Sequence, residues 1–175
     1  MSTSSAIPLP ESIKRIANAP DRRLAWDFFV FFSRFEYALK RDPRFLLPGK
    51  GNAEPNWDRF ATDYNDVFLI QHTPDSEASI KYYLDSPPKK QLRDNGEMNW
   101  SEPLAWDKRE PMLVWLLCVV RTVRNNLFHG GKFHPAPISD PSRDRDLLYY
   151  AITILSFSLC LDSKVEQNFN EGIYE

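Results

Sequence analysis

The segment between Pro111 and Gly130 constrains the fold more than any other. Leu113, Leu116, Leu117, Val120, Val123 and Leu127 recur at helical spacing, while Val114, Trp115, Cys118 and Val119 fill the other sides. Pro111 suits the first position of a helix, and Gly130 can end it in the left-handed conformation, with Gly131 following. A helix apolar nearly all round has no face for water, so other elements must enclose it. The chain supplies two more of similar character. After Pro20 and an acidic Asp21, Leu24, Phe28, Phe31, Phe35 and Leu39 form one apolar stripe. Phe29, Phe32 and Glu36 make a second row beside it, which places this helix deep in a bundle or against a partner subunit. Asp144–Leu161 is apolar almost all round, behind a polar Ser-Arg-Asp-Arg-Asp run.

Weaker pieces connect these helices. Trp57–Leu69 carries Phe60, Tyr64, Val67 and Phe68 at plausible helical spacing. From 71 to 110 the pattern fades: Ile80–Leu84 reads as a short strand or a helical turn, and Pro87-Pro88 and Asn95-Gly96 as turns. The expected architecture is all-α, a bundle of four to five helices with irregular connections. Residues 1–20 read as a flexible arm and 21–162 as one domain. Within that domain 71–110 reads as an insertion or loop, and 163–175 follow as an acidic tail.

Composition narrows the function classes. A length of 175 residues supports one self-sufficient core. The 22 Lys and Arg against 24 Asp and Glu exclude a strongly basic nucleic-acid coat, though not a local basic pocket. Cys118 and Cys160 lie in apolar runs, so buried free thiols in a reducing compartment are expected. The N-terminal residues lack the apolar core of a signal peptide. Leu147–Leu161, the longest uncharged stretch, falls short of the roughly 20 residues that span a bilayer. A cytoplasmic protein with no membrane contact is expected.

His72, His129, His134 and the two cysteines have no metal-ligand spacing, and no phosphate-cradling glycine loop is present. The chemistry concentrates at the end of the third long helix, in Arg121-Thr-Val-Arg124-Asn125-Asn126-Leu127-Phe128-His129-Gly130-Gly131-Lys132. No acidic residue occurs between Met112 and His134, while Arg121, Arg124 and Lys132 are basic. At about 100° per residue, Arg124 falls near the middle of the stripe made by Leu113, Leu117, Val120 and Leu127. A buried arginine requires a partner, because an unpaired charge is costly to bury. A structural salt bridge to Glu36 or Asp27 is one reading, and a purely dipole-favoured His129 belongs with it.

Arg124 to His129, R-N-N-L-F-H, resembles the R-x4-6-H signature of the HEPN superfamily, including the polar residue that often follows the arginine, here Asn125. The first helix, Phe31-Phe32-Ser-Arg-Phe35-Glu36-Tyr-Ala-Leu-Lys40, is similar to the opening helix of such domains. The resemblance implies an α-helical bundle that dimerises. It also implies a metal-independent ribonuclease with no cofactor, of the kind found in bacterial defence and toxin–antitoxin systems, with RNA as substrate and an antitoxin or defence protein as partner. It assigns catalysis to Arg124, His129 and Asn125, with Arg121 and Lys132 on RNA phosphates and Glu36 in support. In the branch regulated by tyrosine modification, a tyrosine follows two positions after the histidine. Here Gly131 stands there, so that mode of inactivation is not expected.

These residue types suit RNA cleavage by the substrate's own 2′-hydroxyl. His129 titrates near neutrality, and the helix C-terminus favours its protonated form, a general acid for the leaving 5′-oxygen. Arg124 offers a permanently charged fork for a five-coordinate phosphate. On a regular helix the two residues point about 140° apart. Either the last turn unwinds at Gly130, or the site is composite, built from two protomers. Two readings of other classes compete: a non-catalytic helical module binding RNA, nucleotide or a protein, and a structural helical dimer in which Arg124 merely pairs with Glu36.

Overall fold

A computed structural model describes residues 22–71, 73–128 and 141–171. In chain order the elements are α1 (Arg22–Lys40), α2 (Trp57–Gln71), α3 (Pro74–Asp85), β1 (Lys89–Asp94), β2 (Glu97–Pro103), α4 (Met112–Phe128), α5 (Pro141–Leu159) and α6 (Ser163–Asn170). The protein is mostly helical, as the apolar periodicities require. It has six helices among the described residues, one more than the upper expectation, and it carries a β-hairpin that an all-α reading excludes.

The apolar stripes become the core. On α1, Phe28, Phe35 and Leu39 are fully buried, with Leu24 and Phe31 half-buried beside them. On α4, Leu113, Leu116, Leu117, Val119, Val120 and Val123 are buried. Helix α4 lies against α2, α3 and α5, so its all-round apolarity is met by three neighbours. Helix α1 packs on α5 and α6. Between α1 and α2 the chain's aromatic content forms a ladder: Trp57 stacks on Phe32 at 5.3 Å and on Phe35 at 5.4 Å. Phe60 meets Phe35 and Phe45 edge-on. Such offset and edge geometries suit the ring quadrupole.

Most of the weakly patterned stretch forms regular elements, a helix at Pro74–Asp85 and a hairpin from Lys89–Asp94 and Glu97–Pro103. Helix α3 opens with Thr73 as N-cap, Pro74 in the first turn, and a capping box in which Thr73 N–H donates to Ser76 Oγ at 2.8 Å while Ser76 N–H donates to Thr73 Oγ1. Tyr83 is fully buried and donates from its hydroxyl to Leu147 O at 2.7 Å. Its weak apolar pattern reflects a helix that buries chiefly Ser76, Ser79 and Tyr83. The Asn95-Gly96 turn signal marks a two-residue hairpin connection, with both residues at positive φ, 49° and 88°. A bulge between Lys89 and Gln91 interrupts the ladder near its root.

The residues read as an acidic tail also differ. Asp162 caps α6, accepting from the N–H groups of Lys164 and Val165 at 2.8 Å each. Phe169 packs on Phe31 at 4.9 Å, and Arg34 donates to the carbonyls of Phe169 and Glu171 at the helix C-terminus. The domain therefore continues through α6. Helix α5 begins at Pro141 and ends at Leu159, which leaves Cys160 in the turn and exposed, while Cys118 is half-buried; neither thiol is fully enclosed. Among the described residues, no single helix is long and apolar enough to cross a membrane.

One polar cluster closes the bundle. Arg44 binds Asp42 through both carboxylate oxygens and reaches Asp162 Oδ2 at 2.8 Å, where the Tyr64 hydroxyl also donates. The Arg44 side chain holds the Asp42 carboxyl below its ordinary value of 3.8. Burial pushes Asp162 up, but hydrogen bonds from Tyr64, the Val165 N–H and Arg44 outweigh it and leave its carboxyl below 3.8 as well. Both carboxylates therefore stabilise the fold above pH 3.8, and this contribution is lost as pH falls through their depressed folded values. Asp162→Ala is expected to cost about 2–4 kcal/mol, through lost capping and lost charged hydrogen bonds. Urea titrations should show this loss at neutral pH and a shallower fall in stability below pH 4 than in the unaltered chain.

Candidate functional site

The acid-free helix α4 delivers the candidate residues at its C-terminal end. Arg124 is half-buried. Its guanidinium carbon lies 5.4 Å from the centre of the Phe32 ring on α1, and its Nη1 donates to Asn125 Oδ1 at 3.0 Å. Phe32 is itself stacked on Trp57, so the guanidinium rests on the end of the aromatic ladder. This explains how an arginine is tolerated near an apolar stripe: the ring face attracts the cation. The anticipated bridge to Glu36 is not made. Glu36 is half-buried on α1 and forms no ion pair with Arg124. The other candidate, Asp27, pairs instead with Arg23 on its own helix at 3.9 Å.

Arg121 reaches Asp58 on α2 at 3.5 Å, with both side chains substantially exposed. An ion pair of that kind is worth about 1 kcal/mol or less and leaves the guanidinium open to a competing phosphate. Asn125 is exposed, and its amide oxygen is turned to Arg124. His129 and Lys132 lie outside the described residues. The structure thus places Arg124, Asn125 and Arg121 along one helix end, without an ion pair between Arg124 and Glu36. Among the described residues no group of three His, Cys, Asp or Glu side chains converges as a metal site.

Sequence reasoning missed two residues that build this region. Phe32 was legible as apolar but not as the support of a cation, because ring and guanidinium belong to helices about ninety residues apart. Asn126 donates from Nδ2 to the carbonyl of Lys89 at 2.8 Å and ties the root of the hairpin to the last turn of α4. Trp115 Nε1 adds a second tie by donating to Leu104 O at 2.8 Å. No periodicity signals an amide that reaches a backbone carbonyl thirty-seven residues away.

Asn126→Ala should speed amide exchange across 89–103 roughly fivefold, as expected for a lost net hydrogen bond of about 1 kcal/mol. The helical body should keep its protection, as read by hydrogen–deuterium exchange with peptide resolution. No family model, curated protein or solved structure matches the chain.

Proposed function

We infer that the chain is a metal-independent endoribonuclease of the HEPN type, acting in a bacterial defence or toxin–antitoxin setting. The supporting observation is the placement of Arg124. In the last turns of an acid-free helix, its guanidinium is held over Phe32 and bonded to the Asn125 amide oxygen. A guanidinium seated on a ring face and bonded to a neutral amide at the end of an acid-free helix brings permanent positive charge to where an RNA phosphate would dock.

In the proposed reaction the 2′-hydroxyl oxygen attacks the adjacent phosphorus, the P–O5′ bond breaks, and a 2′,3′-cyclic phosphate remains. Arg124 stabilises the charge gathered on the phosphate oxygens, with Arg121 and Lys132 holding neighbouring phosphates. His129 gives its proton to the departing 5′-oxygen. In a symmetric dimer, a second copy of His129 is available to take the proton from the 2′-hydroxyl.

The dimer has its own support. Trp26, Val30 and Tyr37 recur on one outer face of α1 and are 63%, 41% and 42% exposed. An apolar stripe of this size on a surface helix suits pairing with the same stripe of another copy. Light scattering is expected to give twice the chain mass, and Trp26→Glu with Val30→Glu to give the single mass. A monomeric unaltered chain would sink the composite site.

The activity test uses labelled RNA in excess EDTA. The unaltered protein should leave cyclic phosphate ends, and Arg124→Ala and His129→Ala should each slow cleavage by about a hundredfold or more. Equal cleavage by all three proteins would refute the assignment. RNA retained without cleavage would assign the non-catalytic binding module.

A further inference from the structure

The hairpin β1–β2 carries a contradiction. A two-stranded hairpin is marginal in water by itself, yet this one exposes Leu92, Met98 and Trp100 by 48%, 49% and 45%. Its register pairs Gln91 with Trp100 and Arg93 with Met98, so these four residues share one face. Glu97, the acidic residue that follows the turn, lies on the opposite face with Leu92 and Asn99. The first face therefore combines an indole, a thioether, an amide and a guanidinium. Arg93 forms no ion pair among the described residues. The root of the hairpin is fixed to the candidate site: Asn126, two residues beyond Arg124, holds Lys89 O, and Leu104 N–H donates to Pro88 O at 3.0 Å. At the same place Arg143 of α5 donates to Pro87 O at 3.2 Å.

We propose that this face of the hairpin is a strand-holding arm for single-stranded RNA, with a base stacked on Trp100 and a backbone phosphate on Arg93. This deepens the nuclease reading and rests on it for the substrate class. A face that joins a guanidinium to an indole is complementary to a ligand that is negative along its backbone and flat at its bases. Stacking on an indole accepts any base, which gives affinity without sequence readout. Lys89, on the same face as Gln91 and Arg93, extends this positive charge to the hairpin root, where its carbonyl is held by Asn126 of α4, so a strand lying along the arm leads its next phosphates to the end of α4. The arm supplies affinity and α4 supplies chemistry, and each can be lost separately.

The test measures binding apart from cleavage. The probe is a short fluorescein-labelled oligouridylate carrying 2′-O-methyl groups, which cannot provide the attacking hydroxyl, with the full chain titrated by anisotropy. Trp100→Ala is expected to weaken binding roughly tenfold, and Trp100→Phe to restore most of it. Arg93→Ala should reduce the slope of log affinity against log salt by about one. Leu92→Ala, on the opposite face, should bind as the unaltered chain does. Restoration by phenylalanine, together with an unchanged melting temperature, separates lost stacking from lost folding.

Unchanged binding in both Trp100→Ala and Arg93→Ala would overturn the proposal. So would failure of the unaltered chain to bind the probe, or a Trp100→Ala effect confined to self-association. Probe binding that depends on Trp100, with natural RNA left uncut, would sustain the arm and remove the nuclease assignment. Cleavage that depends on Arg124 with an unchanged KM in Trp100→Ala would sustain the nuclease and remove the arm.

Discussion

The architecture depends on one carboxylate, Asp162. Its oxygens accept from two backbone N–H groups at the start of α6, from Arg44 in the α1–α2 connection, and from Tyr64 on α2. Four donors from three parts of the chain converge on a side chain that is only 4% exposed. An ionised group in that position is stable only when such donors satisfy it. The geometry is therefore mutually enforcing: α6 needs its cap, Arg44 needs its second carboxylate, and the connection between α1 and α2 needs Arg44. With α6 held, α1 is covered along Phe31, Arg34 and Ala38, and its ladder of rings with Trp57 keeps its place.

That ladder links the fold to the candidate chemistry. Phe32 is at once a core residue stacked on Trp57 and the ring on which the Arg124 guanidinium rests. A cation near an apolar stripe is ordinarily a liability. Here the aromatic surface that closes the core also compensates the charge, so a permanently charged donor stands at the end of α4 without consuming Glu36. Arg121, by contrast, is held only by an exposed pair with Asp58, and an exposed pair contributes little rigidity. The two arginines differ in preorganisation although they lie less than one helical turn apart.

The long helices were legible because burial imposes periodicity. The stripe Leu24, Phe28, Phe31, Phe35 and Leu39, and the apolar sides of α4, read directly into their observed burial. Helix α3 was not legible by that route, since it buries serines and one tyrosine in place of an aliphatic stripe. Thr73-Pro74-Asp75-Ser76 was its available signal, a capping sequence and not a hydrophobic one. The hairpin announced only its turn, because strands exposed on both faces carry no alternation to detect. Helix α6 was disguised by polarity: eight residues contribute few buried side chains, Val165 and Asn168, and are held largely by hydrogen bonds to α1. At the site, residue identities were legible and pairings were not. Arg124 was found, and its expected partner Glu36 was replaced by a ring from the same helix.

The positions of α1 and α6 in the chain have a consequence for synthesis. Arg34 is bound by carbonyls at 169 and 171, more than 130 residues downstream. Helix α1 is thus packed in part by an element translated long after it. Helix α2 covers Phe32 and Phe35 early, through Trp57 and Phe60, but Phe31 gains its contact with Phe169 only once α6 has followed. The burial of α1 is completed only after α6 is made, and a chaperone that shields its Phe31 side during elongation would act on a surface that closes late.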